Sequence, residues 1–546
     1  MALTGSDADA AQRSAPQRPP AQGRVARRAG LGWAVLSAVA GGLALAAAFP
    51  PAGIWPLAAA GPALLVVALW RRSLRGSFLI GLAFGIAFFL PLLSWLINVA
   101  WYAWAALAVI EALIFGLLAV GQRLLLRLRA WPLAVAGWWV AAEALRGTSP
   151  YAFPWGSLAM SQAGAPTAGW AAIGGAPLLT FLVALAGAAL AWLLIAPWGG
   201  GFRSLVRRRA VPLLAVTGAA GLALAGAVLP VDQPTAAPQA TVAAVQGNVP
   251  HARTLANELR ATMVTANHAA ATEGLAAQVR SGRRPAPDLV IWPENSTDLD
   301  PALYPFIYAT IARAVTAIDR PVLVGSVLEN PLRNAGQLWL PRRGPVEVYV
   351  KRQLVPFGEF IPLRGLLQKF TSLPSLQPVN FTPGHQAVVF HVGKVRLGDV
   401  ICYEVGFDHL VSSEVDAGAN LLTVQSNDAD FELDGQTSES AQELAMARIR
   451  AVESDRAVVY ASTTGESAII APDGTVIARS GIWRRAVLEA RVPLRSQRTL
   501  ADRAGSWPEI TITALTLAAL AWAVAGTVIT ARRSRAGTAR RPGPAG

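Results

Sequence analysis

Two kinds of hydrophobic pattern divide this chain of 546 residues. Before residue 230 and after residue 507, long apolar runs alternate with short polar gaps. A helix of roughly 20 apolar residues spans the core of a bilayer, so these runs predict about eight transmembrane helices. The predicted helices cover residues 30–49, 54–70, 76–97, 103–121, 131–145, 177–196, 211–229 and 508–530.

The region between them, residues 230–507, has short apolar runs separated by helical patterns. Predicted strands cover residues 241–246, 288–292, 321–326, 346–350, 387–392, 395–401, 420–426, 457–461 and 467–470. Predicted helices cover residues 255–280, 301–318 and 438–454. A hairpin is predicted at residues 469–477, around the turn Pro472-Asp473-Gly474. This alternation predicts a single α/β domain with a mixed sheet covered by helices.

Composition and charge favour a membrane protein over a nucleic-acid-binding one. The chain is 53% hydrophobic and 15% charged, with a mean hydropathy of +0.41. Its net charge of +14 comes from arginines in both tails and in alternate gaps between the apolar runs. Basic gaps lie on the cytoplasmic side of membrane proteins, so we predict cytoplasmic termini and an outer α/β domain. The sequence has no stripe of basic and aromatic residues of the kind that indicates a nucleic-acid partner.

These patterns predict five segments. They are a disordered basic tail (1–29), a seven-span domain (30–229), an outer α/β domain (230–507), a final transmembrane helix (508–530) and a second basic tail (531–546).

Three ends of predicted strands carry candidate reactive residues: Glu294, Lys351 and Cys402. Cys402 is the single cysteine of the chain, which leaves no partner for an intramolecular disulfide. The chain has 44 arginines and only three lysines, one of which is Lys351. The pKa of a lysine responds to burial, whereas that of an arginine does not. Taken singly, Cys402 is equally well a buried inert thiol, and Glu294 is more simply a cap or a solvated carboxylate.

Taken together, the three residues form a set suited to nucleophilic catalysis. A carboxylate takes the proton of the thiol, and an ammonium stabilises both the thiolate and a developing oxyanion. The backbone N–H of Tyr403 is a second candidate donor to that oxyanion. The five histidines share no triad or metal-ligand spacing, so we predict neither a metal nor a cofactor.

These motifs resemble a known family. Trp292-Pro293-Glu294, the segment 351–362 and Ile401-Cys402-Tyr403-Glu404 are similar to the Glu–Lys–Cys motifs of the nitrilase superfamily. The transmembrane pattern, the segment 245–250 and Phe153-Pro154-Trp155-Gly156 resemble its membrane branch, the apolipoprotein N-acyltransferase family.

The resemblance implies an αββα sandwich in the outer domain and a location in the bacterial cell membrane. It also implies transfer of a fatty acyl chain from a phospholipid to the α-amino group of a diacylated lipoprotein, through a thioester. Cys402 would be the nucleophile, Glu294 the general base and Lys351 the oxyanion donor. Supporting or substrate-binding roles would fall to Glu359, Tyr403 and Glu404.

One segment departs from the family pattern. Residues 427–432 read Asn-Asp-Ala-Asp-Phe-Glu, where the family commonly has Asn-Asp-Ala-Trp-Phe-Gly. Asp430 therefore replaces a large aromatic residue beside the expected cleft, which bears on acyl-chain packing and donor preference. Glu111 and Glu143 lie inside predicted spans, and we expect structural pairing for them, with Arg146 close to Glu143.

Two other functions stay open. The first is a membrane-anchored nitrilase-like amidase that uses water as the acceptor. The second is a non-enzymatic membrane scaffold for a polyprenyl-phosphate glycosyltransferase. The presence of Glu294, Lys351 and Cys402 favours an enzyme over the scaffold.

Overall fold

The N-terminal part of the chain folds into helices. The structure is a computed structural model and describes residues 21–148, 152–196, 202–229, 237–250, 257–369, 377–432 and 438–539. Seven helices come first: α1 (Ala21–Ala48), α2 (Leu57–Leu69), α3 (Leu74–Leu92), α4 (Trp101–Leu125), α5 (Trp131–Thr148), α6 (Ala171–Ile195) and α7 (Phe202–Ala225).

Several of the apolar helices are long enough to cross a membrane. Across the described ranges they number six: Gly30–Ala48, Leu74–Leu92, Trp101–Leu125, Pro166–Ile195, Arg209–Val228 and Trp507–Thr527. This confirms the predicted polytopic membrane domain. The predicted spans 54–70 and 131–145 correspond to the shorter helices α2 and α5, so the count of eight stays a prediction.

Helix boundaries differ from the predicted spans at both ends of the chain. Helix α1 begins at Ala21, inside the predicted N-terminal tail, and the final helix continues to Ala539, inside the predicted C-terminal tail. Within α6, Gly174 and Gly175 leave the helical conformation, and Gly175 has φ +69°. Glycine adopts this conformation without steric cost, so the chain bends there, just before the predicted span 177–196.

Close packing holds the first helices together. A Cβ added to Gly81 of α3 would lie 2.4 Å from Ala119 Cβ of α4, and one added to Gly85 would lie 2.6 Å from Ala112 Cα. Small residues let two membrane helices approach closely, because packing rather than the hydrophobic effect drives their association in lipid. Helices α3 and α4 therefore pack closely against each other along these glycines.

Glu111 forms a structural pair, as expected for an intramembrane carboxylate, and its partner is Arg146. Arg146 Nε lies 2.6 Å from Glu111 Oε2, and Arg146 Nη2 donates to Trp155 O at 2.6 Å. Arg146 thus fixes the loop after α5. Glu143 does not pair with Arg146 and instead accepts hydrogen bonds from Ser157 Oγ (2.7 Å), Leu158 N (2.9 Å) and Thr180 Oγ1 (2.7 Å).

The central region forms an α/β domain with two sheets. Its strands are β1 (Gln239–Gln246), β2 (Leu289–Ile291), β3 (Val322–Leu328), β4 (Arg333–Leu340), β5 (Gly344–Val350), β6 (Val389–Val392), β7 (Val395–Ile401), β8 (Leu421–Ser426), β9 (Val458–Ser462), β10 (Ala468–Ile470), β11 (Val476–Arg479) and β12 (Ala486–Pro493). Its helices are α8 (Asn257–Arg280), α9 (Pro305–Ile318), α10 (Arg364–Leu367), α11 (Asp408–Asp416), α12 (Glu439–Ser454) and α13 (Leu500–Ala504), and α14 (Trp507–Ala539) follows.

The two sheets have six strands each, in the orders β12-β1-β2-β3-β4-β5 and β11-β10-β9-β8-β7-β6. Strands β1, β2 and β3 run parallel, as do β7, β8 and β9. These central strands are buried on both faces, which explains their continuous apolar runs. Contacts between β1 and β9 and between β4 and β7 join the sheets face to face.

Helices cover the outer faces of both sheets. Helices α8 and α9 pack on the first sheet, and α11 and α12 pack on the second. This confirms the predicted αββα sandwich and the hairpin at β10–β11. Helix α12 also packs against α6, so it belongs to both the α/β domain and the helical part of the molecule.

Candidate active site

Cys402 directly follows β7 and begins a short 3₁₀ turn, Cys402–Gly406. Its φ is +51°, a left-handed conformation that is uncommon for residues other than glycine and costs about 1–3 kcal/mol. This conformation turns the chain sharply at the end of the strand. The side chain is 9% exposed, so the thiol lies in a nearly closed site.

Glu404 holds this sharp turn. The carboxylate is fully buried, and it accepts hydrogen bonds from both sides of the site. One side is the end of β7, through Ile401 N at 2.8 Å. The other side is the end of β5, through Tyr349 Oη (2.8 Å), Arg352 N (2.6 Å) and Gln353 N (3.0 Å). Glu404 therefore ties the segment of Cys402 to the segment of Lys351.

Lys351 lies between two carboxylates. Its Nζ is 3.0 Å from Glu294 Oε1 and 3.1 Å from Glu359 Oε1, and the residue is 1% exposed. Asn334 Nδ2 donates to the same two oxygens, at 2.5 Å to Glu294 and 2.7 Å to Glu359. The predicted residues Glu294, Lys351 and Glu359 thus meet in one buried network.

Backbone amides fix the remaining oxygens of the two carboxylates. Asn427 N, just after β8, donates to Glu294 Oε2 at 3.0 Å, and Val355 N donates to Glu359 Oε2 at 2.8 Å. The parallel strands β2, β7 and β8 all point their carboxyl ends at this place. Residues that follow different strands therefore converge on one site, although they are far apart in the sequence.

The charges of the site keep the resting thiol protonated. Burial raises the pKa of Cys402 well above its usual value, the charge of Glu294 raises it further, and the nearby Lys351 ammonium opposes both. Burial lowers the pKa of Lys351, but the charges of Glu294 and Glu359 outweigh burial and raise it well above its usual value. Lys351 is therefore a stable ammonium, and a thiolate forms only when the proton has an acceptor.

Tyr403 connects the site to the loop between α5 and α6. Its ring stacks on Trp155 with centroids 5.5 Å apart and planes at 14°, and its hydroxyl donates to Ala152 O. The ring edge also meets Phe407 at 5.3 Å. The side chain of the residue after Cys402 is thus held by the helical part of the molecule.

We expect Tyr403→Phe to lower stability by about 1 kcal/mol, because it removes one buried hydrogen bond and keeps the ring stack. Acyl transfer should remain within about fivefold, because the backbone N–H is unchanged. Thermal unfolding and turnover of the purified protein check both expectations. Tyr102→Phe, at a more exposed ring, is the matched control, and a large loss of turnover in Tyr403→Phe would show a direct role for the hydroxyl.

A buried acidic cluster lies next to the site and was not predicted. Oxygens of Asp428, Glu439 and Glu443 lie within 4.8 Å of one another, and such oxygens suit a hard cation. However, the hydroxyls of Ser426 and Tyr460 donate to Glu443 at 2.6 and 2.8 Å. Burial raises the pKa of Glu443 to about 8, which favours its protonated form near neutral pH.

Asp430, the departure from the family pattern, lies at the surface. Its side chain is 64% exposed and forms a 3.6 Å ion pair with Arg260 of α8. The next residue, Phe431, packs edge-on against Trp95 at 5.1 Å and accepts a hydrogen bond from Asn98 Nδ2 at 2.7 Å. Phe431 thus joins the site loop to the segment after α3. The expected effect of Asp430 on donor preference stays a prediction.

The fold and the family comparison agree on the class of protein. Residues 241–502 match the sequence profile of the carbon-nitrogen hydrolases, whose other name is the nitrilase superfamily. Residues 41–189 match the profile of the apolipoprotein N-acyltransferase N-terminal domain. The chain is therefore a nitrilase-type α/β domain combined with a set of membrane helices.

Curated relatives narrow the class to one family. The apolipoprotein N-acyltransferase of Mycolicibacterium smegmatis is 39% identical over 89% of this chain and 84% of the relative. That of Azotobacter vinelandii is 31% identical over 93% of this chain and 97% of the relative. The chain belongs to the apolipoprotein N-acyltransferase family. Among solved structures, an amidase from Nesterenkonia sp. AN1 is 17% identical over 49% of this chain and 98% of its own, with a TM-score of 0.35.

Proposed function

We propose that this membrane enzyme transfers a fatty acyl chain from a phospholipid to the N-terminal α-amino group of a diacylated lipoprotein. Membership of the family supports lipoprotein N-acylation. The observation that carries the catalytic assignment is the buried network in which Lys351 bridges Glu294 and Glu359 beside Cys402. Such a network offers a proton acceptor, an oxyanion donor and a nucleophile in one closed site.

In the first half-reaction, the sulfur of Cys402 attacks the ester carbonyl of the phospholipid while its proton passes to Glu294. The Lys351 ammonium and the backbone N–H of Tyr403 stabilise the tetrahedral oxyanion. The C–O bond then breaks, and the leaving alkoxide takes the proton from Glu294. This step leaves a thioester on Cys402 and releases a lysophospholipid.

In the second half-reaction, the α-amine of the lipoprotein attacks the thioester. Glu294 accepts a proton from the amine, the C–S bond breaks, and the sulfur is protonated again. Two separate half-reactions suit a donor and an acceptor that both diffuse in a membrane, because the two substrates need not bind together. We assign Glu359, Tyr403 and Glu404 positioning roles, since each holds a neighbouring group of the site.

The enzyme is a bacterial membrane protein, and we propose that its α/β domain faces outward with both termini in the cytoplasm. The alternation of basic and neutral gaps along residues 1–229 and the basic C-terminal tail support this topology. The proposed segments are those given by the hydrophobic pattern, with residues 230–507 outside the membrane. Family membership does not favour the amidase or the scaffold as alternatives.

Intact-mass measurement of the purified protein tests the proposal. Incubation with phospholipid vesicles should increase the mass of the protein by one fatty-acyl group. Addition of a synthetic diacylated lipopeptide should return the protein to its original mass and increase the mass of the lipopeptide by the same group. Tandem mass spectrometry should place the adduct on Cys402. Discharge by water at the same rate with and without lipopeptide would support the amidase instead, and absence of any adduct would contradict both enzymes.

We expect the rate of Cys402 acylation to fall at acidic pH. This acid limb should lie at a higher pH than the usual pKa of a glutamate would produce. Burial raises the pKa of Glu294 above its usual 4.5, and only the ionised carboxylate can accept the thiol proton. The rate is therefore present above this pKa and lost as the pH falls through it. Single-turnover acylation followed by mass spectrometry across the pH range checks this.

Two variants control for other titrations. Glu294→Gln should remove the limb along with most of the rate. Glu273→Gln, at an exposed 2.8 Å pair with Arg313, should leave the limb in place. A limb that survives in Glu294→Gln would assign it to another group.

A further inference from the structure

A buried carboxyl group lies between the two sheets, three residues before Cys402. Asp399 of β7 is fully buried, and both of its side-chain oxygens lack a hydrogen-bond donor among the described residues, apart from the adjoining amide of Val400. A Cβ added to Gly336 of β4 would lie 2.0 Å from Asp399 Oδ2 and 2.8 Å from Gln425 Oε1. The missing side chain at Gly336 leaves room for both oxygens, which face the same point.

Gln425 Oε1 is also buried and also lacks a donor in the described part of the chain. Exchanging the positions of the amide oxygen and nitrogen would not supply the missing donor, because Gln425 Nε2 already donates to Trp292 O across the sheet interface. The exchange would set Oε1 against the Trp292 carbonyl, so that two acceptors face each other. Two acceptor groups, the Asp399 carboxyl and Gln425 Oε1, thus both approach Gly336, and neither receives a side-chain hydrogen bond from the described residues.

A proton on Asp399 resolves this arrangement. The negative charges of Glu404, Glu414 and Glu294 act on this carboxyl and disfavour its ionised form. A buried ionised carboxylate without a partner costs far more than a neutral acid that donates one hydrogen bond. The protonated form supplies the donor that Gln425 Oε1 lacks.

We propose that Asp399 is a neutral carboxylic acid whose O–H donates to Gln425 Oε1, and that it acts as a positioning residue for Glu294. The chain of hydrogen bonds runs from Asp399 through the Gln425 amide to Trp292 O, two residues before Glu294. It connects the strand that ends in Cys402 to the strand that leads to the base. This role rests on the proposed function, whereas the protonation state does not.

Infrared difference spectra of the full-length protein in detergent test the protonation directly. Wild type minus Asp399→Asn should show the carbonyl band of a protonated carboxylic acid, with a shift in D₂O. Absence of this band, or a carboxylate band in its place, would overturn the proposal. This readout requires no substrate and no turnover.

Alkylation of Cys402 by iodoacetamide tests the positioning role without an acyl donor, because Cys402 is the single thiol of the chain. Asp399→Asn keeps a donor for Gln425 and should react within about twofold of wild type. Asp399→Ala and the volume-filling Asp399→Leu should both slow alkylation by about 10- to 100-fold. The same two variants should lower kcat for acyl transfer by about 10- to 100-fold and leave KM nearly unchanged. Wild-type rates in both donor-free variants would overturn the positioning role.

Thr423→Val controls for a general effect of changing a buried polar group. Thr423 is the neighbour of Asp399 in β8, is fully buried, and donates to Val459 O at 2.8 Å rather than toward Trp292. Its alkylation rate should equal that of wild type. If wild-type protein transfers no acyl chain at all, the proposed function fails, and the infrared and alkylation results still decide the role of Asp399.

Discussion

Cys402→Ala is expected to abolish acyl transfer, with a loss on the order of 10⁴- to 10⁶-fold, the scale seen when a nucleophile is removed. The sulfur forms the bond that carries the acyl chain, and Cys402 is the single cysteine of the sequence, so no other thiol can replace it. The fatty-acyl adduct should be absent from the intact mass. Turnover with vesicles and a diacylated lipopeptide measures the loss.

Two comparisons make the Cys402 result specific. Alkylation of wild-type protein with iodoacetamide should add one label and remove activity to the same extent, while Cys402→Ala should take no label. The melting temperature of the variant should stay close to that of wild type, because alanine fills nearly the same space. An adduct or residual turnover in Cys402→Ala would place the acyl chain elsewhere and contradict the mechanism.

Lys351→Met is expected to have the second largest effect, on both stability and rate. Loss of the ammonium leaves Glu294 and Glu359 facing each other, mostly buried and without their cation. Breaking a buried ion pair in this way costs about 3–5 kcal/mol. Loss of one donor to the oxyanion costs a further factor of about 10²–10³ in turnover. Thermal unfolding and single-turnover acylation measure the two effects separately.

Lys394→Met is the matched control, because it changes the same residue type in the same domain. Lys394 is half exposed and lies 3.8 Å from Asp288 Oδ2, an arrangement that contributes about 0–1 kcal/mol. It should therefore unfold and react like wild type. Equal stability of the two lysine variants would mean that Glu294 and Glu359 are stabilised by protons or water rather than by Lys351.

The sequence was sufficient to predict the three strand ends of the candidate site. Glu294 and Cys402 each follow a parallel strand that is buried on both faces, and such strands have continuous apolar runs. Lys351 instead follows β5, an antiparallel edge strand that is partly exposed. The long apolar helices were predictable because a bilayer core demands length and hydrophobicity and little else.

The parts that were not predicted depend on contacts between distant residues. Strand β4 (Arg333–Leu340) mixes arginine, asparagine, glycine and glutamine, so its polar pattern gave no strand signal, and Asn334 was missed with it. Strand β12 was missed because it carries charged residues between its apolar ones. The ion pair between Arg146 and Glu111 was not predicted, because the two residues come together only when α4 and α5 pack.

Helix α12 has a consequence for how this enzyme can be taken apart. All but two of its 16 residues are buried, on one side by β9 and on the other by α6, and Glu453 accepts a hydrogen bond from Ala176 N at the bend of α6. An excised α/β domain would present this flank to water and be prone to aggregation. The architecture therefore makes a soluble fragment a poor route to inhibitor screening, and favours lipid nanodiscs that hold the entire chain.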